Sequence, residues 1–531
     1  MAKIDLNTVS SGYLSQAALN ANFTAIEDEF QNKVLYRDNP NGEPNSMQSN
    51  LDMNGYYVLN AGNTSLVDAD NIAYTADATG AETRTVAEKL NDVVSVKDFG
   101  AVGDGVTDDT AAIQAAIDSG AKQVIAPAGG IYRTTNTLTI NVSGAFELNF
   151  NDSQLLLDDA SGIKSHIKIG DGITQRYAKI QNVAFTRQQV ATAGYAIDSD
   201  YIGVSEISGC RIYGNNEIYN GIRIYRGTII DIQNNYIDNC INYGIYLEGT
   251  DSSTNRTVDV VIRENRIEGG VSALVTWDFV EGVYCRDNIF FNTSSNGAGL
   301  NASSNANGLY SFKFEGNDFD TCGGSGLYID NISNIQITDC WFSTITADAL
   351  QIKSNVVACI VSANQFYPTA YGIRVEGTDC RIDGNIISGG TTCISVTSFA
   401  NRTGISSNTL QNAQIAVDLS TAQNTHFVSN LLTNLSVAAI TGAGGTGTVV
   451  QSNKGDQLVG TSTFITVGAS PFTYTAGIRP EYISIFSGTV SEIALGANAI
   501  GFTSNRSVSL APGQSVTVTY SSVPFMVKNF L

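Results

Sequence analysis

From about residue 180, apolar and polar positions alternate in short runs that repeat along the chain. Each run has an apolar residue, an Asn three positions later and a second apolar residue two positions further on, as in Ile232-Asn235-Ile237. The Asn position recurs at intervals that lie mostly in the twenties. A second strand-like run follows in most repeats, for example GIYLE at 244–248 and GIRVE at 372–376.

Short strands separated by turns at a nearly fixed period predict a parallel β-solenoid. In such a fold, an Asn at one position of every coil forms a ladder of amides bonded to the coils above and below. Cys210 and Cys340 take the Asn position in two repeats, as small buried residues would. A leucine-rich repeat has a similar period, but its Leu spacing and helical half are absent from this sequence. The predicted fold class is therefore mainly β, with a parallel β-helix at its centre.

Other patterns flank the repeats. Residues 97–117 predict a glycine-rich loop and then a helix that caps one end of the core. Alternating runs from Thr463 to Leu531 predict a small C-terminal antiparallel β domain. Near the N-terminus, a 4-3-4 spacing predicts a short helix whose seam either pairs with copies of itself or packs within its own domain. That seam consists of Leu19, Phe23, Ile26 and Phe30.

These patterns divide the 531 residues into an N-terminal region at 1–90, a β-helix at 91–455 and a C-terminal domain at 456–531. No stretch is apolar enough to predict a membrane span, and the first residues do not have the pattern of a secretory signal. The eight cysteines are scattered, several of them inside strand-like runs, so we expect buried free thiols.

Charge narrows the classes of function. The net charge is −21, and a surface that acidic repels phosphate backbones and anionic membranes, so a nucleic-acid or lipid partner is not expected. The only two histidines are His166 and His426, too few for a histidine metal cluster and without the setting of a Ser-His-Asp triad. No metal site and no cofactor are predicted.

Candidate chemistry follows from aligning the second strand of each repeat on its Asn position. Residues flanking the inward positions then form two outward columns across successive coils. The first column is predicted to contain Glu248, Asp278, Asn301, Asp330, Lys353 and Glu376. The second is predicted to contain Tyr246, Thr276, Gly299, Tyr328, Gln351 and Arg374.

The columns suit glycosidic hydrolysis, which needs one carboxylic acid to protonate the leaving oxygen and a second carboxylate to attack or to activate water. The candidate catalytic residues are Glu248, Asp278, Asp330 and Glu376. Coils stack at about 4.8 Å, so Glu248 and Asp278 are expected roughly 5 Å apart, which suits a retaining reaction. Like charge on adjacent coils raises the pKa of one member, as the acid role requires.

Four further residues are candidates for substrate binding. Tyr246 and Tyr328 can stack on sugar rings, and Lys353 and Arg374 can hold an anionic sugar. Two inserted loops, at 249–257 and 292–307, border the same face and are expected to wall a groove. In the alternative interpretation, the charges are solvated or form surface salt bridges, and the tyrosines meet a neighbouring chain.

Three segments resemble parts of known families. DFGAVGDGVTDDTAAIQAAI at 98–117, followed by VIAPAGGIYRTT at 124–135, resembles the opening segment of the pectate-lyase-like, right-handed β-helix superfamily. LNANFTAIEDEF and LDMNGYYVLN, within residues 1–60, resemble the virion-anchoring head of bacteriophage tail fibres and tailspikes. The closing region, with TVGASPFTYT and APGQSVTVTYSSVPFMVKNF, resembles a C-terminal β module of phage tail proteins.

The resemblance implies a homotrimeric phage tailspike, made in the host cytoplasm and carried on the virion tail. Its N-terminal region would bind a tail or baseplate adaptor, and its β-helix would bind a capsule or O-antigen polysaccharide of the bacterial host. The chain departs from two enzyme branches of the superfamily. Neither His166 nor His426 has the glycine-flanked context of polygalacturonases, and the clustered acidic calcium ligands of pectate lyases are not evident.

Three functions remain open at this point. The leading hypothesis is endo-glycosidic depolymerisation of the polysaccharide by paired carboxylates. The second is a receptor-binding fibre with the same fold and no catalysis. The third is a polysaccharide lyase, in which Lys or Tyr removes the proton α to a uronate carboxyl.

Overall fold

The computed structural model describes residues 15–33, 69–251, 255–303, 308–442, 444–455, 463–501 and 503–530, which form two compact units at Met1–Val86 and Ala87–Leu531. The first unit contains the helix Gln16–Lys33 and an antiparallel strand pair, Ala73–Thr75 with Thr83–Thr85. The helix confirms the prediction of a short helix here, and its Leu19 and Phe23 are exposed on this chain. The Phe30 side chain and the motif at 51–60 lie outside the described residues. A short helix, Val86–Leu90, begins at the boundary between the units.

The second unit is built on a parallel β-helix in which each coil passes through three sheets in turn. Sheet A has thirteen strands: Leu138–Ile140, Ile167–Ile169, Tyr195–Asp200, Asn220–Tyr225, Tyr243–Glu248, Ser272–Thr276, Ala298–Leu300, Leu327–Ile329, Asp348–Ile352, Tyr371–Val375, Thr392–Val396, Ile415–Asp418 and Ala438–Thr441. Sheet B has fifteen: Val93–Ser95, Gln123–Ile125, Ala145–Asn149, Tyr177–Gln181, Gly203–Ser208, Thr228–Gln233, Thr257–Arg263, Val280–Arg286, Leu309–Glu315, Ile332–Thr338, Val357–Ser362, Arg381–Asp383, Thr403–Ser406, Thr425–Val428 and Val449–Gln451. Sheet C has fourteen: Asp104–Asp108, Ile131–Thr134, Gln154–Leu157, Ala184–Arg187, Arg211–Tyr213, Tyr236–Asp238, Arg266–Glu268, Ile289–Phe291, Asp318–Asp320, Trp341–Ser343, Gln365–Tyr367, Ile386–Ser388, Thr409–Gln411 and Leu431–Thr433.

The predicted amide ladder is present in the turn between sheets B and C. The Asn235 side chain donates to Asn265 Oδ1 at 3.0 Å, and Asn265 donates in the same way to Asn288. Residues before the ladder positions, such as Glu264 and Asp287, have positive φ, which makes the turn sharp enough to need only two residues. At Cys210 the backbone N–H donates to the next Asn at 2.9 Å, so Cys takes the Asn position without breaking the stack.

Side chains from all three sheets fill the interior. Phe342 stacks between Phe319 and Phe366, with ring centroids 4.7 and 4.6 Å apart. All eight cysteines are buried and free, as predicted. The helix Thr110–Asp118 buries Ile113 and Ile117 against the first coils, which confirms that it caps the core.

The C-terminal residues form two small antiparallel sheets, as predicted. One contains Thr463–Ile465, Phe525–Phe530, Glu481–Phe486 and Arg506–Leu510, and the other contains Phe472–Thr475, Ser515–Ser522, Thr489–Leu495 and Asn498–Gly501. The domain meets the last coil where the Val450 N–H donates to the Ile478 carbonyl at 2.6 Å. None of the helices within the described ranges has the length and hydrophobicity of a membrane span.

Candidate functional site

The candidate residues lie along the outer side of sheet A. Strand pairing places Tyr328 beside Gln351 and Gln351 beside Arg374 on successive coils. The parallel ladder continues past the strand ends, where the Lys353 N–H donates to Ile329 and the Glu376 N–H donates to Ile352. The predicted columns are therefore correct over the coils from 327 to 376.

One coil has a different register from the predicted one. Thr276 pairs with Leu247 and Leu300, so it faces the core and is fully buried, and the prediction that it points outward is wrong. Val275 takes its place in the Tyr246 column. The physical reason is that this coil has one residue fewer than predicted between its ladder Asn and its strand of sheet A. Each side chain of that strand therefore faces the side of the sheet opposite to the predicted one.

The same shift puts Trp277 in the column position that was predicted for Asp278. The Trp277 N–H donates to the Leu247 carbonyl at 2.9 Å, which continues the ladder from Thr276. Asp278 lies one residue further along, at the start of the turn to sheet B. Its carboxylate accepts hydrogen bonds from the Ser303 N–H at 2.5 Å and the Ser303 hydroxyl at 2.7 Å.

A cleft of about 440 Å³ lies on this face of sheet A. Tyr246 and Tyr328 both contribute to it, and Trp277 is a third aromatic wall. The remaining lining residues are Tyr243, Val271, Ser272, Val275, Ser295, Asn296, Gly299 and Asn301. Ser295, Asn296 and Asn301 come from the predicted wall loop at 292–307, whose residues 304–307 lie outside the described part, as do residues 252–254 of the other loop.

Glu248 is the half-buried carboxylate next to Tyr246 in the same strand. Burial raises the pKa of Glu248 above its ordinary value, and the Asp278 charge raises it further. The Arg223 guanidinium and a hydrogen bond from Tyr246 oppose the rise without cancelling it. Burial and the Glu248 charge also raise the pKa of the Tyr246 hydroxyl. Burial and the neighbouring charge therefore make Glu248 easier to protonate than an exposed glutamate.

The other predicted residues are engaged within the chain. Lys353 Nζ lies 2.9 Å from Glu376 Oε2, and this pair raises the pKa of Lys353. Arg374 forms two hydrogen bonds to Asp348, at 2.8 and 3.2 Å. The Asp330 carboxylate accepts from the Asn355 side chain at 3.2 Å. Two of the four predicted catalytic carboxylates, Asp330 and Glu376, thus lie on the same face but toward later coils than Glu248 and Asp278.

A second carboxylate pair lies on sheet C and was not singled out from the sequence. Asp238 and Glu268 are in register on adjacent coils, and burial together with the Glu268 charge raises the pKa of Asp238. Arg266 donates to Glu268 at 3.1 Å. The aromatic cleft lies on sheet A, which makes the arrangement there the better candidate. Within the described ranges, no group of three or more His, Cys, Asp or Glu side chains is placed to hold a metal ion.

Three residues at this site, Trp277, Tyr243 and Arg223, were not predicted from the sequence. Tyr243 stacks on Tyr246 with centroids 5.8 Å apart, and Arg223 donates to Asp198 at 2.7 Å. A signal for Trp277 was present, because Leu274 is the strongest inward candidate in its strand. Alternation from Leu274 puts residues 275 and 277 outside.

Comparisons with known proteins agree with the fold. Residues 140–314 match the family model described as right handed beta helix region. The mannuronan C5-epimerases AlgE2 and AlgE5 of Azotobacter vinelandii are each 30% identical to this chain, over 257 and 252 residues. These matches cover 45% and 44% of this chain but only 23% and 22% of the epimerases, so the chain spans less than a quarter of those relatives' length.

Among solved structures, the tailspike protein of E. coli bacteriophage HK620 in complex with pentasaccharide superposes with a TM-score of 0.51 at 13% identity. The alignment covers 87% of this chain and 97% of the tailspike. At that identity the likeness concerns the fold. The family match, the structural likeness and the three-sheet coil together show that the centre of this chain is a right-handed parallel β-helix.

Proposed function

We propose that the protein is a polysaccharide-binding β-helix whose ligand lies along the cleft on sheet A. The observation that carries the proposal is the row of Tyr246, Trp277 and Tyr328 beside a half-buried carboxyl group. Aromatic rings offer flat apolar faces to sugars, while the Ser and Asn side chains around them offer hydrogen bonds to hydroxyl groups. The names of the similar proteins support the same ligand class, since one holds a pentasaccharide and others act on mannuronan.

The proposed reaction is endo-glycosidic hydrolysis by Glu248 and Asp278. Glu248, with its raised pKa, donates the proton to the leaving glycosidic oxygen. Asp278 is the second carboxylate, which attacks the anomeric carbon or activates water. Tyr246 and the carboxylate-paired Lys353 both have raised pKa values. Both groups therefore keep their protons at neutral pH and cannot accept the proton α to a uronate carboxyl, which counts against the lyase alternative.

The test measures new reducing ends after the protein is mixed with polysaccharide from candidate hosts. Glu248→Gln and Asp278→Asn should each lower the cleavage rate at least 100-fold while leaving binding and folding intact. Asp238→Asn on sheet C is the matched control and should cleave like the parent protein. Full activity in both sheet A variants would remove this pair from the mechanism. A rise in absorbance near 235 nm would indicate a lyase, and bound but intact polymer would indicate an adhesin.

We also propose that the chain works as a homotrimer on a phage tail, with the N-terminal region bound to a tail or baseplate adaptor. The exposed Leu19 and Phe23 on the helix Gln16–Lys33 support a helix–helix contact between copies. Light scattering on the full chain should give three times the mass of one copy. The double variant Leu19→Asp, Phe23→Asp should weaken the trimer, because it places charges in the proposed contact between copies. A trimer of unchanged stability would contradict this role of the helix.

A further inference from the structure

Among the described residues, no charged side chain lines the cleft on sheet A. Its walls are aromatic, aliphatic, hydroxyl and amide groups together with one glycine, Gly299. A site built for an acidic sugar usually presents Arg or Lys to the carboxylate, because an unpaired charge is costly to remove from water. Neither Arg nor Lys is among the described residues that line this cleft.

The cations near the cleft are each paired with a carboxylate of the chain. Arg223 donates to Asp198 at 2.7 Å, and Lys353 lies 2.9 Å from Glu376. Arg374, two coils beyond Tyr328, holds Asp348 through two hydrogen bonds. Each carboxylate partner lowers the attraction of its cation for a ligand carboxylate.

Two negative residues adjoin lining residues of the cleft. Asp330 is two residues from Tyr328, where burial and the Asp330 charge raise the pKa of the Tyr328 hydroxyl, and Asp278 follows Trp277 in the chain. The chain as a whole carries −21. An acidic polymer would therefore meet repulsion during approach and again inside the site.

We infer that the cleft accepts uncharged sugars, so that the polysaccharide segment bound between Tyr246 and Tyr328 contains no uronate, sialate or phosphate. This inference rests on the proposed function and narrows its substrate class. Stacking on three aromatic residues and hydrogen bonding to amides and hydroxyls need no ligand charge. Binding should therefore change little with ionic strength.

The experiment uses the full-length protein on a panel of purified bacterial capsular and O-antigen polysaccharides, both neutral and acidic. The expected ligand is a neutral polymer. Its affinity should change less than about twofold between roughly 0.05 and 0.5 M NaCl, a range over which salt increasingly screens interactions between surface charges. Oxidising the primary hydroxyls of that polymer to carboxylates keeps its linkages and adds charge. It should weaken binding roughly tenfold or more.

Three variants locate the binding. Tyr246→Ala and Trp277→Ala should each weaken it roughly tenfold, while Tyr367→Ala, an exposed aromatic on sheet C, should not. Preferred binding of an acidic polymer that depends on Trp277 and is lost when its carboxylates are reduced to alcohols would overturn the inference and leave the proposed function standing. Affinity that is unchanged in both Tyr246→Ala and Trp277→Ala, or no binding across the panel, would overturn the proposed function and the inference together.

Discussion

The buried His166 should make the β-helix lose stability between neutral and mildly acidic pH. This side chain is fully buried and lies edge-to-face against Phe185. Its Nε2 is 2.7 Å from the Thr186 carbonyl, whereas Nδ1 has no partner among the described residues. Burial lowers the pKa of His166 from 6.5 to about 4, and the Arg187 charge adds to this.

The direction of the effect follows from proton uptake. Between pH 6.5 and pH 4 the unfolded chain binds a proton at His166 and the folded chain does not, so acid favours unfolding. One pKa unit corresponds to about 1.4 kcal/mol, so the free energy of unfolding should fall by about 3 kcal/mol over this window. Above pH 6.5 neither the folded nor the unfolded chain binds this proton, so the full stability is present.

Denaturant unfolding of the parent protein and of His166→Gln, from pH 4.5 to 8, measures this contribution. Glutamine still offers a donor for the Thr186 carbonyl but does not titrate. The buried Asp159 pairs with Arg187 at 2.8 Å, and its lowered pKa lies below the window, so it affects both proteins alike. The difference between the two stability curves should therefore slope with pH. Parallel curves would refute the reasoning.

Three further predictions concern the site, the ladder and the register. Arg223→Met removes the cation that lowers the pKa of Glu248, so the alkaline limb of the cleavage rate should move to higher pH in a pH–rate profile; an unmoved limb would argue against Glu248 as the acid. Asn265→Ala should cost about 2–4 kcal/mol in chemical denaturation, because it removes the oxygen that accepts from the Asn235 backbone N–H and side-chain amide, and the amide that donates to the Ile232 carbonyl. A loss under about 1 kcal/mol would contradict the ladder's role. Thr276→Val should raise stability by about 1 kcal/mol, since the Thr276 hydroxyl is buried with no partner among the described residues; an outward Thr276 would show no gain.

The amino-acid sequence by itself determined the coil architecture. A buried Asn must satisfy its amide, and stacking on the Asn of the next coil does so, so the pattern Ile232-Asn235-Ile237 specifies both the turn and the apolar residues that flank it. The capping helix Thr110–Asp118 was predictable for a similar reason. Its apolar face has to cover the open end of the core.

Only the tertiary structure decided which side chains meet across coils. Alternation tells inside from outside within one strand, but the register between strands depends on the number of residues in each turn. One residue fewer before Ser272–Thr276 was enough to bring Trp277 beside Glu248 and to move Asp278 toward Ser303. The Lys353–Glu376 salt bridge follows from the predicted column, where the two residues lie on successive coils. The partner of Arg374 does not, because Asp348 lies outside both predicted columns and only the folded chain brings it within 3 Å of the guanidinium.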